Sequence, residues 1–210
     1  MKFVVGLTGG IGAGKTAVAD RLASLGASLV DTDAISRALT GPHGGAMPRL
    51  REAFGERFVT AEGALDREAM RALVFSDGEA RARLEAILHP AIREASDREL
   101  ERASGPYAVL VVPLLFETRG YGRVARVLVV DCPEALQVER LRNRSGLDER
   151  EARAVMAAQW PRWRRLQMAD DVIWNGADRA SLERQCDARH RDYCERASAS
   201  ATIAAKRPVA

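Results

Sequence analysis

Apolar positions along this chain fall into two periods. Phe3 to Thr8 is a short run without polar alternation, the pattern of a strand buried on both faces. Gly9 to Thr16 is glycine-rich, and the next stretch turns helical, with Val18, Leu22 and Leu25 on one stripe. A second apolar run, Ser28–Val30, ends in Asp31-Thr32-Asp33. Ala108–Leu115 and Val124–Val130 predict a third and a fourth strand, and Val172–Trp174 a weaker fifth. Strands separated by helical stretches imply βαβ units. The expectation is an α/β fold with a parallel five-stranded sheet flanked by helices, binding its ligands beyond the carboxyl ends of the strands.

Two stretches exceed ordinary crossovers. Residues 34–104 contain almost no strand pattern. Gly41-Pro42-His43-Gly44-Gly45 opens them as a loop, and helical patterns follow through Leu65, Met70, Leu73 and Val74, then Leu84, Ile87 and Leu88. His89-Pro90 closes that last pattern, as a residue before proline often marks a helix end. This stretch reads as a helical insertion for the acceptor substrate. Residues 137–168 read as a lid, and the core then comprises 1–33, 105–136 and 169–197. From Ala197 the chain is small, polar and unpatterned, so a single domain over 1–200 with a flexible tail over 198–210 is expected.

Composition narrows the class. A hydrophobic share of 47% suits a globular chain. The longest apolar stretch, Ala108 to Phe116, falls far short of the ~20 residues of a membrane span. The glycines from Gly9 onward break the N-terminal run, so no signal peptide is expected. Three scattered cysteines, Cys132, Cys186 and Cys194, have no metal-ligand spacing, which points to a reducing, cytoplasmic setting. The net charge is only +3, so the many arginines are largely balanced and nucleic-acid binding is not expected. Of 32 basic residues only Lys2, Lys15 and Lys206 are lysines. A lone internal lysine in so arginine-rich a chain needs a reason.

Gly9 to Thr16 supplies it, because the segment fits G-x-x-x-x-G-K-[ST] between a strand and a helix. Glycines let successive backbone N–H groups wrap phosphates, Lys15 reaches the β- and γ-phosphates, and the Thr16 hydroxyl ligates Mg²⁺. The chain therefore binds a nucleoside triphosphate with magnesium. No D-x-x-G occurs, and Asn175-Gly176-Ala177-Asp178 lacks the lysine of a guanine-reading motif, which argues against a switch GTPase. No acidic residue sits on the third strand, which argues against a motor ATPase. A small-molecule kinase remains. It needs a carboxylate near the acceptor hydroxyl, and Asp31 and Asp33 both end the second strand. Asp33 could equally cap the following helix. Arg140 and Arg144, one helical turn apart, could meet phosphates together or simply form a solvated face.

Six ordered blocks, GLTGGIGAGKT (6–16), DTDAISRAL (31–39), GALDREAMRALVF (63–75), LEAILHPAI (84–92), VVPLLFE (111–117) and ADDVIWN (169–175), resemble the dephospho-coenzyme A kinase family. The resemblance spans nearly everything except the tail. It implies a P-loop kinase fold, ATP and dephospho-CoA as substrates, Mg²⁺ as cofactor, and transfer of phosphate to the ribose 3′-hydroxyl. ATP contacts are then expected from Gly10, Ile11, Gly12, Ala13, Gly14, Lys15, Thr16, Ala17 and Arg144. Asp33 becomes the base and Arg140 a lid cation, with substrate contacts from Asp33, His89, Leu114 and Glu117. A monomer or weak homo-oligomer is expected. The same-class alternative is a kinase for another small hydroxyl substrate. The different-class alternative is a nucleotide-dependent ATPase that binds RNA or protein through the arginine clusters.

Overall fold

The structure, a computed structural model, describes residues 2–118 and 122–205. Its elements are β1 (Val4–Gly9), α1 (Lys15–Ser24), β2 (Ser28–Asp31), α2 (Thr32–Leu39), α3 (Met47–Phe54), α4 (Arg67–Ser76), α5 (Gly78–Arg102) and β3 (Ala108–Val111). There follow α6 (Leu115–Thr118), β4 (Arg126–Asp131), α7 (Glu134–Ser145), α8 (Glu149–Ala157), α9 (Arg162–Gln167), β5 (Asp171–Trp174) and α10 (Arg179–Ala205). The strands form one sheet in the order β2-β3-β1-β4-β5. β1 runs parallel to both β3 and β4, and β4 parallel to β5.

Every residue of β1 is buried, which is why it is apolar without alternation. Parallel pairing brings the carboxyl ends of β1, β4 and β5 to one edge: Gly9 lies opposite Val130, and Asp131 opposite Trp174. Against the sheet, Val18 and Leu22 of α1 join Leu182, Cys186 and Tyr193 of α10 over Val5, Leu7, Leu128, Val130 and Ile173.

The chain forms two compact units, residues 1–30 with 100–210, and residues 31–99. The second has a core of its own around Met47, Leu50, Phe54, Phe58, Met70 and Ala80. Its helix α4 starts where the Asp66 carboxylate accepts the Glu68 and Ala69 N–H groups, a side-chain N-cap.

Three local expectations are corrected. His89-Pro90 does not end a helix but lies inside α5. Proline there costs roughly 3 kcal/mol, and apolar packing of Leu84, Ile87 and Leu88 opposes that cost. The third strand stops at Val111 and Leu115 already belongs to a helical turn, since Pro113 has no N–H for the ladder. The tail is helical as far as Ala205. Alanines such as Ala197 and Ala199 favour helix without any apolar stripe, so periodicity does not reveal it. Residues 206–210, the rest of that expected tail, lie outside the described residues. Among the described residues no helix is long and apolar enough to cross a membrane.

Away from the loop-bearing edge, Asp171 opens β5 with only 7% of its surface exposed. Its carboxylate accepts Arg126 Nε at 2.8 Å, Arg189 Nη1 at 2.9 Å and the Tyr193 hydroxyl at 3.0 Å. Burial alone would raise its pKa, but these donors and the two guanidinium charges outweigh it and hold the carboxyl below the ordinary range. A depressed carboxyl stabilises the fold above its unfolded pKa, about 3.9, and that stability disappears as pH falls through the folded value. Asp171→Asn should therefore lower stability at neutral pH. The expected loss is about 3 kcal/mol, the low end for a broken buried pair, because Arg189 retains 37% exposure. Urea unfolding at pH 7 and pH 3 checks this: the gap between variant and parent should shrink at the lower pH.

Candidate active site

The loop after β1 turns through Gly12 and Gly14, both in the left-handed region at φ +75 and +94. Gly14 precedes the first residue of α1, so this positive φ sets how the loop enters the helix. A Cβ there would also collide with Asn175 Nδ2. Glycine is thus needed twice over, for backbone angle and for space.

The loop's carbonyls are held from outside. Asn175, directly after β5, donates Nδ2 to the Ala13 oxygen at 2.7 Å. Arg140 on α7 donates Nη1 to the Gly12 and Ala13 oxygens, each at 3.3 Å, and Nη2 to the Asn175 oxygen at 3.1 Å. Gln137, one turn earlier, donates Nε2 to the Ile11 oxygen at 2.9 Å. The Ile11 N–H is itself taken by Gln159 Oε1 at 2.8 Å. The Ile11, Gly12 and Ala13 carbonyls are thus bound from outside the loop, and a glycine-rich loop leading into a helix N-terminus favours anions. Lys15 folds back over that loop, its Nζ donating to the Gly9 and Gly10 oxygens at 2.9 and 3.1 Å. Thr16 and Ala17 lie exposed in the first turn of α1.

The lid reading expects Arg140 over the phosphates; in this structure its guanidinium donates to the carbonyls of the loop and of Asn175. It lies under the loop because Gln137, Val138 and Leu141 bury this face of α7, and Arg140 shares it. Arg144, one turn later, is exposed, so the structure does not bring the two arginines together on the loop. Beneath Arg140, burial pushes the Cys132 thiol up, with the Arg140 charge opposing that rise.

The remaining expected residues lie on separate elements. Asp31 takes the capping role, its carboxylate accepting the Asp33 N–H at 2.8 Å, and Asp33 stands exposed in the first turn of α2. His89 is exposed on α5, and Leu114 is 41% exposed. Glu117 Oε1 accepts the Trp160 N–H at 2.9 Å, tying α6 to the segment between α8 and α9. There Trp160 stacks on Phe116 and lies beneath the Arg164 guanidinium. Arg162 forms a two-pronged pair with Asp131 at the end of β4, at 2.8 and 2.7 Å. A cavity of about 390 Å³ opens among Gln137, Met156, Gln159, Trp160, Arg162 and Arg165.

Sequence reasoning missed Asn175, Gln137 and Gln159. Asn175 had a usable signal, a polar residue directly after a strand at the ligand-bearing edge. The glutamines had none, since their partners are backbone atoms distant in sequence.

Comparison with known proteins is consistent along most of the chain. The family described as dephospho-CoA kinase matches residues 3–180. The dephospho-CoA kinase of Aromatoleum aromaticum is 55% identical over 199 residues, covering 94% of this chain and 97% of that protein. A Thermus thermophilus crystal structure superimposes with TM-score 0.79 at 36% identity, covering 91% of this chain and 97% of the other. Dephospho-CoA kinase from Campylobacter jejuni gives TM-score 0.67 at 25% identity, with 93% and 98% covered.

Gly14→Ala should fold but lose ATP affinity by at least about tenfold, because strain at positive φ costs of order 1–3 kcal/mol and the collision displaces Asn175. Calorimetric titration with ATP measures it. Undiminished affinity would mean that the loop does not rely on this turn.

Proposed function

The chain belongs to the dephospho-CoA kinase family, and from that premise we propose the residue roles by which it transfers the γ-phosphoryl group of ATP to the ribose 3′-hydroxyl of dephospho-CoA, giving ADP and CoA. The observation that carries these roles is the loop after β1, whose carbonyls are bound from behind by Asn175, Arg140 and Gln137. Such a loop offers preformed N–H donors to phosphates at little reorganisation cost.

Gly10, Ile11, Gly12, Ala13, Gly14, Thr16 and Ala17 form the ATP cradle in this reading, and Lys15 neutralises the β- and γ-phosphates by leaving the Gly9 and Gly10 carbonyls for the anion. Asp33 accepts the 3′-hydroxyl proton as the oxygen attacks the γ-phosphorus and the bond to the β–γ bridging oxygen breaks. One feature supports Asp33 over Asp31: Asp33 is exposed in the first turn of α2, whereas Asp31 is half-buried. Arg140 and Asn175 act on the loop and not on the phosphoryl group. His89, Leu114 and Glu117 remain proposed acceptor contacts, although Glu117 also anchors Trp160.

The donor set suits Mg²⁺. Among the described residues no cluster of three or more His, Cys, Asp or Glu could cage a metal, and the exposed Thr16 hydroxyl is the kind of single protein ligand that suits an ion held mainly by phosphates and water. When bound, Mg²⁺ would screen the phosphate charge. Three unpaired cysteines support a reducing, cytoplasmic setting.

Incubation with ATP, Mg²⁺ and dephospho-CoA should yield ADP and CoA in equal amounts, read by mass spectrometry. Asp33→Asn should retain ATP binding and lose roughly 10²–10⁴-fold in kcat, whereas Asp31→Asn should lose less. ATP consumption without CoA would contradict the acceptor. A larger loss at Asp31 would move the base to that residue.

A further inference from the structure

The unit of residues 31–99 is rich in arginine, and most of these side chains are neutralised, covered or loose in solvent. Arg51 and Arg98 pair with Glu56 and Glu94, and Arg57 and Arg83 lie over the Phe58 and Phe54 rings. Arg81 donates to the Val74 carbonyl. Arg67 differs from all of them, being exposed and yet held in place. Its Nη2 donates to Thr40 Oγ1 at 2.6 Å. Thr40 is only 2% exposed, and its hydroxyl in turn donates to the Ser36 carbonyl at 2.7 Å. Among the described residues no carboxylate forms an ion pair with Arg67. Its charge is therefore fixed in position, open to solvent and not neutralised.

The position of that charge follows from how α4 is attached to α2. The Leu65 N–H donates to the Thr40 carbonyl at 2.9 Å, which holds the approach to α4 against the end of α2. Asp66 then caps α4, so Arg67 occupies its first helical position, beside Thr40. On α2, positions 33, 36, 37 and 40 are spaced i, i+3, i+4 and i+7 and share one stripe. Thr32 and Ile35 are buried on another face, which leaves the Asp33 stripe outward. Asp33 and the Arg67 anchor at Thr40 thus lie on the same stripe, about 10 Å apart along the axis at 1.5 Å per residue. Arg37 stands between them, only loosely paired with Asp31 at 4.0 Å. The stripe therefore runs from a carboxylate at one end to cations at the other, all within one compact unit.

We propose that Arg67 binds the 5′-diphosphate of the acceptor nucleotide and so holds the 3′-hydroxyl of the same ribose at Asp33. The assignment rests on the kinase reading above and deepens it, since it names the part of the acceptor that the 31–99 unit recognises. Dephospho-CoA carries its reacting hydroxyl and its diphosphate on one sugar, so a carboxylate and a cation on one stripe can address both. The bond to Thr40 uses only part of the guanidinium, and the remaining N–H groups can donate to phosphate oxygens. Anchoring on a buried hydroxyl also removes much of the side-chain entropy that a free arginine would lose on binding.

Arg67→Gln keeps an N–H donor for Thr40 and removes the charge. With ATP saturating, KM for dephospho-CoA should rise roughly 10–100-fold, the worth of a hydrogen bond to a charged group. kcat should stay within about threefold, because the lost contact is made equally before and during transfer. The Kd for ATP should not change. Arg67→Lys restores the charge without the planar fork and should recover part of the loss in KM. Added KCl should raise KM more steeply in the parent than in Arg67→Gln, since salt screens the contact between charges. If Arg67→Gln fails to fold, Arg67→Lys carries the test, with KM expected above the parent's and kcat kept. Parent-like KM in the folded variant overturns the proposal. So does a raised KM with the parent's salt dependence, which would place Arg67 on a neutral part of the acceptor. A lowered melting temperature with kcat lost and KM kept also overturns it, reducing Arg67 to a structural partner of the α2 C-terminus. A parent protein that makes no CoA overturns the kinase reading and this proposal with it. One that makes CoA while Arg67→Gln leaves KM unmoved contradicts this assignment alone.

Discussion

The site depends on which way the peptides of one loop face. A glycine-rich loop could rotate its peptide units in either sense, and only one sense offers donors to phosphate. Here the Ala13 carbonyl is bound by Asn175 at 2.7 Å and, with that of Gly12, by Arg140. Each bond from outside fixes the opposite, N–H edge of the same peptide plane, because the amide is planar. The loop is therefore organised before any nucleotide arrives, which is the condition for electrostatic stabilisation without reorganisation.

That constraint explains several features of the fold. β4 and β5 must end level with β1, so that Asn175 and the start of α7 reach the loop; the register of Gly9 with Val130 and of Asp131 with Trp174 provides this. α7 must be buried along its Gln137–Leu141 face, which draws Arg140 beneath the loop. The return segment closes the arrangement: Gln159 holds the Ile11 N–H, Glu117 holds the Trp160 N–H, and Arg162 locks onto Asp131. At the far end of the sheet, the Asp171 network joins β4, β5 and α10.

Much of this was legible in the sequence. A strand, a glycine-rich turn with its lysine, and an amphipathic helix have local signatures, and so do apolar runs of parallel strands. What was not legible depends on tertiary packing. Pro90 reads as a stop, yet the apolar contacts of Leu84, Ile87 and Leu88 carry α5 through it. Helix α10 extends through alanines that carry no periodic stripe. Arg140 and Arg144 look equivalent at one turn's spacing, but burial of one helix face engages the first and leaves the second in solvent. Gln137 and Gln159 carry no signal at all, because their partners are backbone atoms far away along the chain.

The central claim is that bonds behind the loop hold its N–H groups toward the nucleotide. Asn175→Leu tests it most directly, since it removes the donor to the Ala13 carbonyl at similar volume and touches no phosphate. Calorimetric titration with ATP and Mg²⁺ should show affinity reduced by about tenfold, the worth of roughly one hydrogen bond, with the sheet intact by circular dichroism. Unchanged affinity in a folded Asn175→Leu protein would contradict the account, for it would show that the loop orients its peptides unaided.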